Sequence, residues 1–152
     1  MKRMMKKILL STFLFLSLFT NAQSYSYLYA GNASEGNGAV TFNIYVFCDS
    51  KKEISLAAYL SGIRCVLFEG IPGTKFDKPL LSEGEVTLMD KNPTYFDGLY
   101  NRRYVDFVKE CLMISKYKKS EVKKATLFQI TIKALDLRKD LEKNNIKKKL
   151  GI

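Results

Sequence analysis

The chain contains no histidine. That removes the commonest general base, every Ser-His or Cys-His nucleophile pair and most zinc sites. Carboxylates are what remains for acid-base work, and several crowd the middle of the chain: Asp49, Glu53, Glu69, Asp77, Glu83, Glu85, Asp90 and Asp97. Glycoside hydrolysis needs one carboxyl as acid and a second as nucleophile or base. None of these residues sits in a context that separates the two roles, and tryptophan, the usual sugar platform, is absent. Gly70-Ile71-Pro72-Gly73 lacks the Lys-Ser/Thr of a phosphate-cradling loop and would stop a helix rather than open one. No acid spacing resembles a calcium loop. The expectation is a non-enzyme, with no catalytic, cofactor-binding or metal-ligating residue assigned.

The segment richest in binding chemistry is aromatic and basic. Tyr95, Tyr100, Arg102, Arg103 and Tyr104 form the candidate partner-binding set, with Phe96 between them. Interleaved rings and guanidinium groups stack on and pair with polar or anionic partners. The competing reading puts Phe96, Leu99 and Tyr104 in the core and leaves the two arginines pointing outward.

Cys48, Cys65 and Cys111 cannot all pair within one chain. All three have apolar neighbours, so buried free thiols are the simpler reading. Cys48–Cys111 is the first choice if a bridge forms, because each sits at a strand edge.

The elements that must carry these residues show in the hydrophobic pattern. Residues 23–38 are polar and rich in Gly, Asn and Ser, and read as a flexible leader with an early strand at Tyr25 to Tyr29 as an option. In AVTFNIYVFC, Val40, Phe42, Ile44, Val46 and Cys48 face one way, with Thr41, Asn43, Tyr45 and Phe47 on the other; period two predicts a strand. Ser50 and Glu53 have capping-box spacing ahead of a helix from Ile54 to Phe68. That helix is apolar around most of its circumference and therefore central. Gly70 serves as its left-handed cap, and Pro72 prevents resumption.

Residues 70–92 predict a long surface loop with a short strand near Glu85 to Met89. Asn92-Pro93 restarts a helix, and whether 103–109 stays helical or turns extended is left open. Cys111 to Lys118 and Glu121 to Lys133 predict paired strands around a turn at Lys119-Ser120. In the second, Leu127, Gln129 and Thr131 alternate with Phe128, Ile130 and Ile132. ALDLRKDLEKNNI closes the domain as an amphipathic helix with Asp136 as cap and Leu137, Leu141 and Ile146 inward. Residues 147–152 read as a frayed basic tail, and no internal repeat appears. The predicted architecture is a single α+β two-layer domain over 39–146: a small, mainly antiparallel sheet of three to four strands on a long buried helix, with two shorter helices.

The first 22 residues give the chain an address. Lys2, Arg3, Lys6 and Lys7 precede an apolar run from Ile8 to Phe19, and Thr20 and Ala22 put small residues before a cut. A 12-residue run rises only about 18 Å as a helix, short of the roughly 30 Å of a hydrocarbon core. The expected mature chain of 130 residues is exported to the periplasm or secreted, with no later transmembrane span. Its net charge falls from +10 to +6 with the four lost cations, and the remainder is lopsided, −3 over 23–100 against +9 over 101–152. A basic half can meet an anionic polymer or lipid surface; nucleic acid is not expected outside the cytoplasm. A solvated face is the plainer explanation for lysines spread along strands and a helix. The two outcomes differ in where Lys116, Lys118, Lys123, Lys124, Lys133 and Lys139 project.

Three blocks, VTFNIYVFCDSKKEISLAAYLSGIRCVLFEGIPG, YFDGLYNRRYVDFV and LFQITIKALDLRKDLEKNNI, resemble a recurrent, largely uncharacterised family of small exported proteins from Bacteroidetes-type bacteria. The signal ending in Ala-Gln is similar to that group's. More remotely, a strand, a long Ala-containing helix and a late strand pair with helix resemble N-terminal interaction modules of envelope and flagellar-assembly proteins. The resemblance implies a fold and an exported address and brings no reaction. The expected function is contact with another protein in the cell envelope, with binding to an anionic polymer or lipid surface as the alternative.

Overall fold

A computed structural model describes residues 25–115 and 125–148. The expected signal segment, the expected turn at Lys119-Ser120 and residues 149–152 of the basic tail lie outside the described residues. The architecture is the expected α+β two-layer domain, four helices and a five-stranded antiparallel sheet among the described residues. The sheet is larger than the three to four strands read from the sequence because the leader belongs to it. β1 (Tyr25–Tyr29) pairs with β3 (Ala39–Cys48), Tyr27 opposite Val46, and β2 (Ser34–Gly36) pairs with the start of β3. Two local facts fold this polar stretch. Tyr25, Tyr27 and Tyr29 alternate onto the core side and pack against it. Asn37 and Gly38 both take positive φ, 52° and 75°, so Asn-Gly closes a tight hairpin whose twist suits the strands.

The remaining strands are β4 (Val108–Ser115) and β5 (Ala125–Ile132), giving the order β1-β3-β5-β4 with β2 beside β3. β5 runs antiparallel to β3 with Thr41 opposite Thr131 and Tyr45 opposite Leu127. β4 carries two irregularities, at Val108/Glu110 and at Met113/Ser115.

The predicted central helix is present. α1 is α-helical over Ile54–Arg64 and widens into a π-helical turn over Cys65–Glu69. Its apolar positions meet Val40, Phe42, Ile44, Val46, Phe128, Ile130 and Ile132 from the inner face of the sheet, all buried. The approach is closest at Gly62, where a Cβ would lie 2.5 Å from Ile130 Cδ1. The capping box does not form: Ser50 accepts the Glu53 N–H through its backbone carbonyl, and neither side chain bonds a helix-end amide. Gly70 ends the helix at φ 82°, ψ 167°, a glycine conformation outside the left-handed helical region.

Residues 71–84 are partly a strap over the core. Ile71, Leu80 and Leu81 are buried, and the Leu80 and Leu81 N–H groups donate to the Val66 and Leu67 carbonyls at 3.2 and 2.9 Å. Those carbonyls lie at a helix end, where intrahelical partners run out. The expected strand at Glu85 to Met89 is instead α2 (Glu85–Lys91): a short Val-Thr-Leu-Met run mimics alternation, while only Leu88 is buried. α3 starts at Pro93 after Asn92, is α-helical over Pro93–Gly98, π-helical over Leu99–Arg103 and helical again over Tyr104–Phe107. β4 then begins at Val108, three residues before the expected Cys111. α4 (Ala134–Lys143) buries Ala134, Leu137 and Leu141; it opens after Lys133, so Asp136 lies in its first turn and is not its cap. Lys147 of the tail is docked, its ammonium donating to the Leu80 carbonyl at 2.5 Å.

Candidate functional site

The five candidate partner-binding residues divide among three places. Tyr95, Arg102 and Arg103 line one open groove of about 630 Å³, together with Lys91, Asn92 and Asn144. The groove runs between the α2–α3 junction, the π-helical turn of α3 and the residues that follow α4. Tyr100 does not belong to it: it is buried, and its hydroxyl donates to Glu85 Oε1 at 2.8 Å. Tyr104 also faces away and stacks on Tyr59 of α1, centroids 5.9 Å apart. One strip of sequence is thus split because an α3 that winds about its axis sends neighbours to different sides. Phe96 and Leu99 are fully buried, as the core reading expects.

Within the groove Arg103 is held from two sides. Its Nη1 donates to both oxygens of Asp140 on α4 at 3.1 Å, and its guanidinium lies 5.0 Å from the centre of the Tyr95 ring. Tyr95 donates from its hydroxyl to Asp140 Oδ2 at 2.8 Å. Burial and then the Asp140 carboxylate push the Tyr95 phenol up, so it remains a donor. Arg102 is exposed, with Nη2 3.9 Å from Asp97 Oδ2, and Lys91 pairs with Glu83 at 2.5 Å.

A second charged cluster is buried under α1. Arg64 donates from Nε to Glu85 Oε1 at 2.6 Å and from an Nη to the Tyr25 hydroxyl. It lies over the Tyr25 ring at 5.4 Å and the Tyr100 ring at 4.7 Å. Burial alone would lower the arginine's pKa; Tyr25, Glu85 and Tyr100 outweigh it and raise it. Burial raises Tyr25 to about 12, against the pull of Arg64. Burial, followed by Glu85, raises Tyr100. These bonds tie β1, α1, α2 and α3 together.

All three cysteines are free thiols, so the Cys48–Cys111 bridge is not formed. Cys65 is fully buried, whereas Cys48 and Cys111 are half-buried. Burial, with Glu69 beside it, pushes the Cys65 thiol up to about 12; burial takes Cys111 to about 11. Neither is a thiolate nucleophile near neutral pH.

The surface that motif-based reasoning missed is the outer face of the sheet. α1 covers the inner face, and no described element covers the other. Leu28, Tyr45 and Leu127 lie in one row across β1, β3 and β5 by direct register. Phe47 stands in the next row, opposite Ser26 and Ala125. Leu28 is 59% exposed and Tyr45 42%, high for large apolar or aromatic groups facing outward side by side. The far end of the same face is polar: Thr41 bonds Thr131 through their hydroxyls at 2.8 Å, Asn43 lies opposite Gln129, and Glu110 of β4 stands opposite Thr131. Asn43 Oδ1 is buried there without a donor. The alternation of Thr41, Asn43, Tyr45 and Phe47 was the available signal; the pattern alone does not tell that no described element packs on that side.

Of the six lysines whose direction separates the two functional readings, Lys116, Lys118, Lys123 and Lys124 lie outside the described residues. Lys133 donates from its ammonium to the Asp106 carbonyl at 3.0 Å, and Lys139 is exposed on α4. Among the described residues no group of three or more His, Cys, Asp or Glu is placed to hold a metal, and no helix is long and apolar enough to cross a membrane. No protein-family model, curated protein or solved structure matches this chain.

Proposed function

We propose that this protein is a non-catalytic exported protein that works through contacts with another protein of the cell envelope, in the periplasm or outside the cell. The observation that carries the reading is the sheet face that no described element covers, with its Leu28–Tyr45–Leu127 row. An apolar row rimmed by hydroxyls and amides suits a protein surface, where the centre is dry and the rim forms hydrogen bonds. From Ser26 and Leu28 through Thr41–Phe47 to Ala125–Thr131, the outward positions of β1, β3 and β5 carry no charged side chain. A polyanion or an anionic lipid surface would call for cations there. The exported address rests on the N-terminal signal pattern and on the resemblance to small exported Bacteroidetes-type proteins.

The test is an affinity capture from envelope extracts with residues 23–152 as bait, at low and high salt, beside Leu28→Glu and Tyr45→Glu variants with unchanged circular dichroism. A discrete protein retained at high salt by the parent and lost by both variants is the expected result. Capture of polyanions alone, released as salt rises and indifferent to both variants, would overturn the reading in favour of an anionic-surface binder.

A further inference from the structure

We infer that the groove between α2, α3 and the end of α4 is a binding site for carboxylate ligands, separate from the sheet face. Its volume, about 630 Å³, matches a small di- or tricarboxylate or a pair of acidic side chains on a peptide. Three cations border it, Lys91, Arg102 and Arg103, and each now rests on a carboxylate of its own chain.

The three pairs are not alike. Arg103–Asp140 is fixed: one Nη reaches both carboxylate oxygens, Tyr95 donates to one of them, and both side chains are largely shielded. This pair shows that the groove's own donors, guanidinium plus phenol, read a planar carboxylate. Arg102–Asp97 is loose at 3.9 Å, with side chains 75% and 65% exposed, and Asp97 takes its shorter bond, 2.7 Å, from Asn101. Lys91–Glu83 is also exposed on both sides. Exposed pairs contribute little to stability and exchange partners readily. Arg102 and Lys91 are therefore the exchangeable positions, where an incoming carboxylate displaces Asp97 and Glu83. Arg103 stays in place as a fixed wall, and the Asn92 and Asn144 side-chain amides each give one N–H to the Leu88 and Asp140 carbonyls, at 3.2 and 2.8 Å.

The site gives a prediction that a merely positive surface does not share. Asp97 competes with the ligand for Arg102, so Asp97→Asn tightens carboxylate binding, whereas Arg102→Gln and Lys91→Gln weaken it.

The experiment is calorimetric and NMR titration of residues 23–152 at constant ionic strength with citrate, with a Glu-rich hexapeptide and with inorganic phosphate. Saturable binding of citrate or of the hexapeptide is expected, with phosphate weaker. The stronger of the two arms identifies the source as a free carboxylic acid or a peptide. Arg102→Gln should cost about tenfold, the scale of one lost charge-assisted hydrogen bond. Asp97→Asn should gain severalfold, and both variants should retain the parent's melting temperature within a few degrees. Amide shifts should map to 91–103 and 144–146. Absence of saturable binding in both carboxylate arms overturns the inference, as does phosphate binding equal to citrate or an Asp97→Asn variant that binds no better. Leu28→Glu should leave these titrations unchanged, so failure at the groove and failure at the sheet face read out separately.

Discussion

Arg64 on α1 and Glu85, the first residue of α2, meet at 2.6 Å with the arginine side chain only 6% exposed. The contact joins residues 21 apart in sequence and fastens the strap between them over the core. A buried charge pair adds little net stability compared with apolar residues, yet removing one member leaves the other charge stranded.

Arg64→Met should therefore destabilise the domain by about 3–5 kcal/mol, the penalty for one orphaned buried charge. Glu85→Gln keeps an acceptor but takes the counter-charge from the guanidinium, the more deeply buried of the two groups, and should also cost about 3–5 kcal/mol. Urea unfolding of both variants checks this; an Arg64→Met midpoint equal to that of the parent would remove the cluster's structural role.

Gly70 and Gly73 make a matched pair, since both take positive φ, 82° and 80°. A Cβ at Gly70 would sit 2.4 Å from the Asp77 carbonyl oxygen, while a Cβ at Gly73 meets nothing within 4 Å. Gly73→Ala should cost roughly 1–2 kcal/mol from backbone strain alone. Gly70→Ala should cost clearly more, because backbone must move, and a lowered melting temperature relative to Gly73→Ala is the readout.

Stability should fall on the alkaline side. Tyr25 rises from 10.0 to about 12 and Cys65 from 9.0 to about 12, each chiefly through burial; Cys111 rises from 9.0 to about 11. Groups with raised folded pKa values hold their protons more tightly in the folded chain. Their contribution is complete below about pH 9 and is lost as pH climbs towards about 12. Urea midpoints measured from pH 8 to pH 11 should fall while tyrosinate absorbance rises; a flat profile of midpoints would contradict the burial of these groups.

Thiol chemistry should sort the three cysteines. With a thiol reagent at pH 8, Cys65 should react only when the domain opens, while half-buried Cys48 and Cys111 react sooner in the native state. Three thiols should titrate in denaturant without reductant; finding one would mean that a bridge had formed.

The alternation in β3 and the all-round apolarity of Ile54–Phe68 made the central strand, the central helix and the α+β class legible, because both elements owe their form to burial of their own residues. The optional early strand at Tyr25–Tyr29 is present, whereas the strand at Ser34–Gly36 was not legible because it gains its structure from β3 rather than from its composition. Asn37-Gly38 was the missed hairpin signal. Glu85–Lys91 reads as strand locally and is a helix because Leu88 faces the core and Glu85 faces Arg64. At the candidate site, sequence proximity grouped Tyr95 with Tyr100 and Tyr104, and the turn of a helix separated them. Asp140, which orders Arg103, came from a segment 37 residues away and had no local mark.

The central ladder of the sheet joins the beginning of the domain to its end: Thr41 meets Thr131 across 90 residues. A ribosome or export channel releases the chain from its N-terminus, so β3 emerges long before the strand that completes it. Until β5 arrives, Ile130 and Ile132 are missing from the floor on which α1 rests, and closing so long a loop is slow. The fold is thus set to complete late. A growing chain would stay free of stable tertiary structure until its last segment followed, with its N-terminal hairpin ready to receive it.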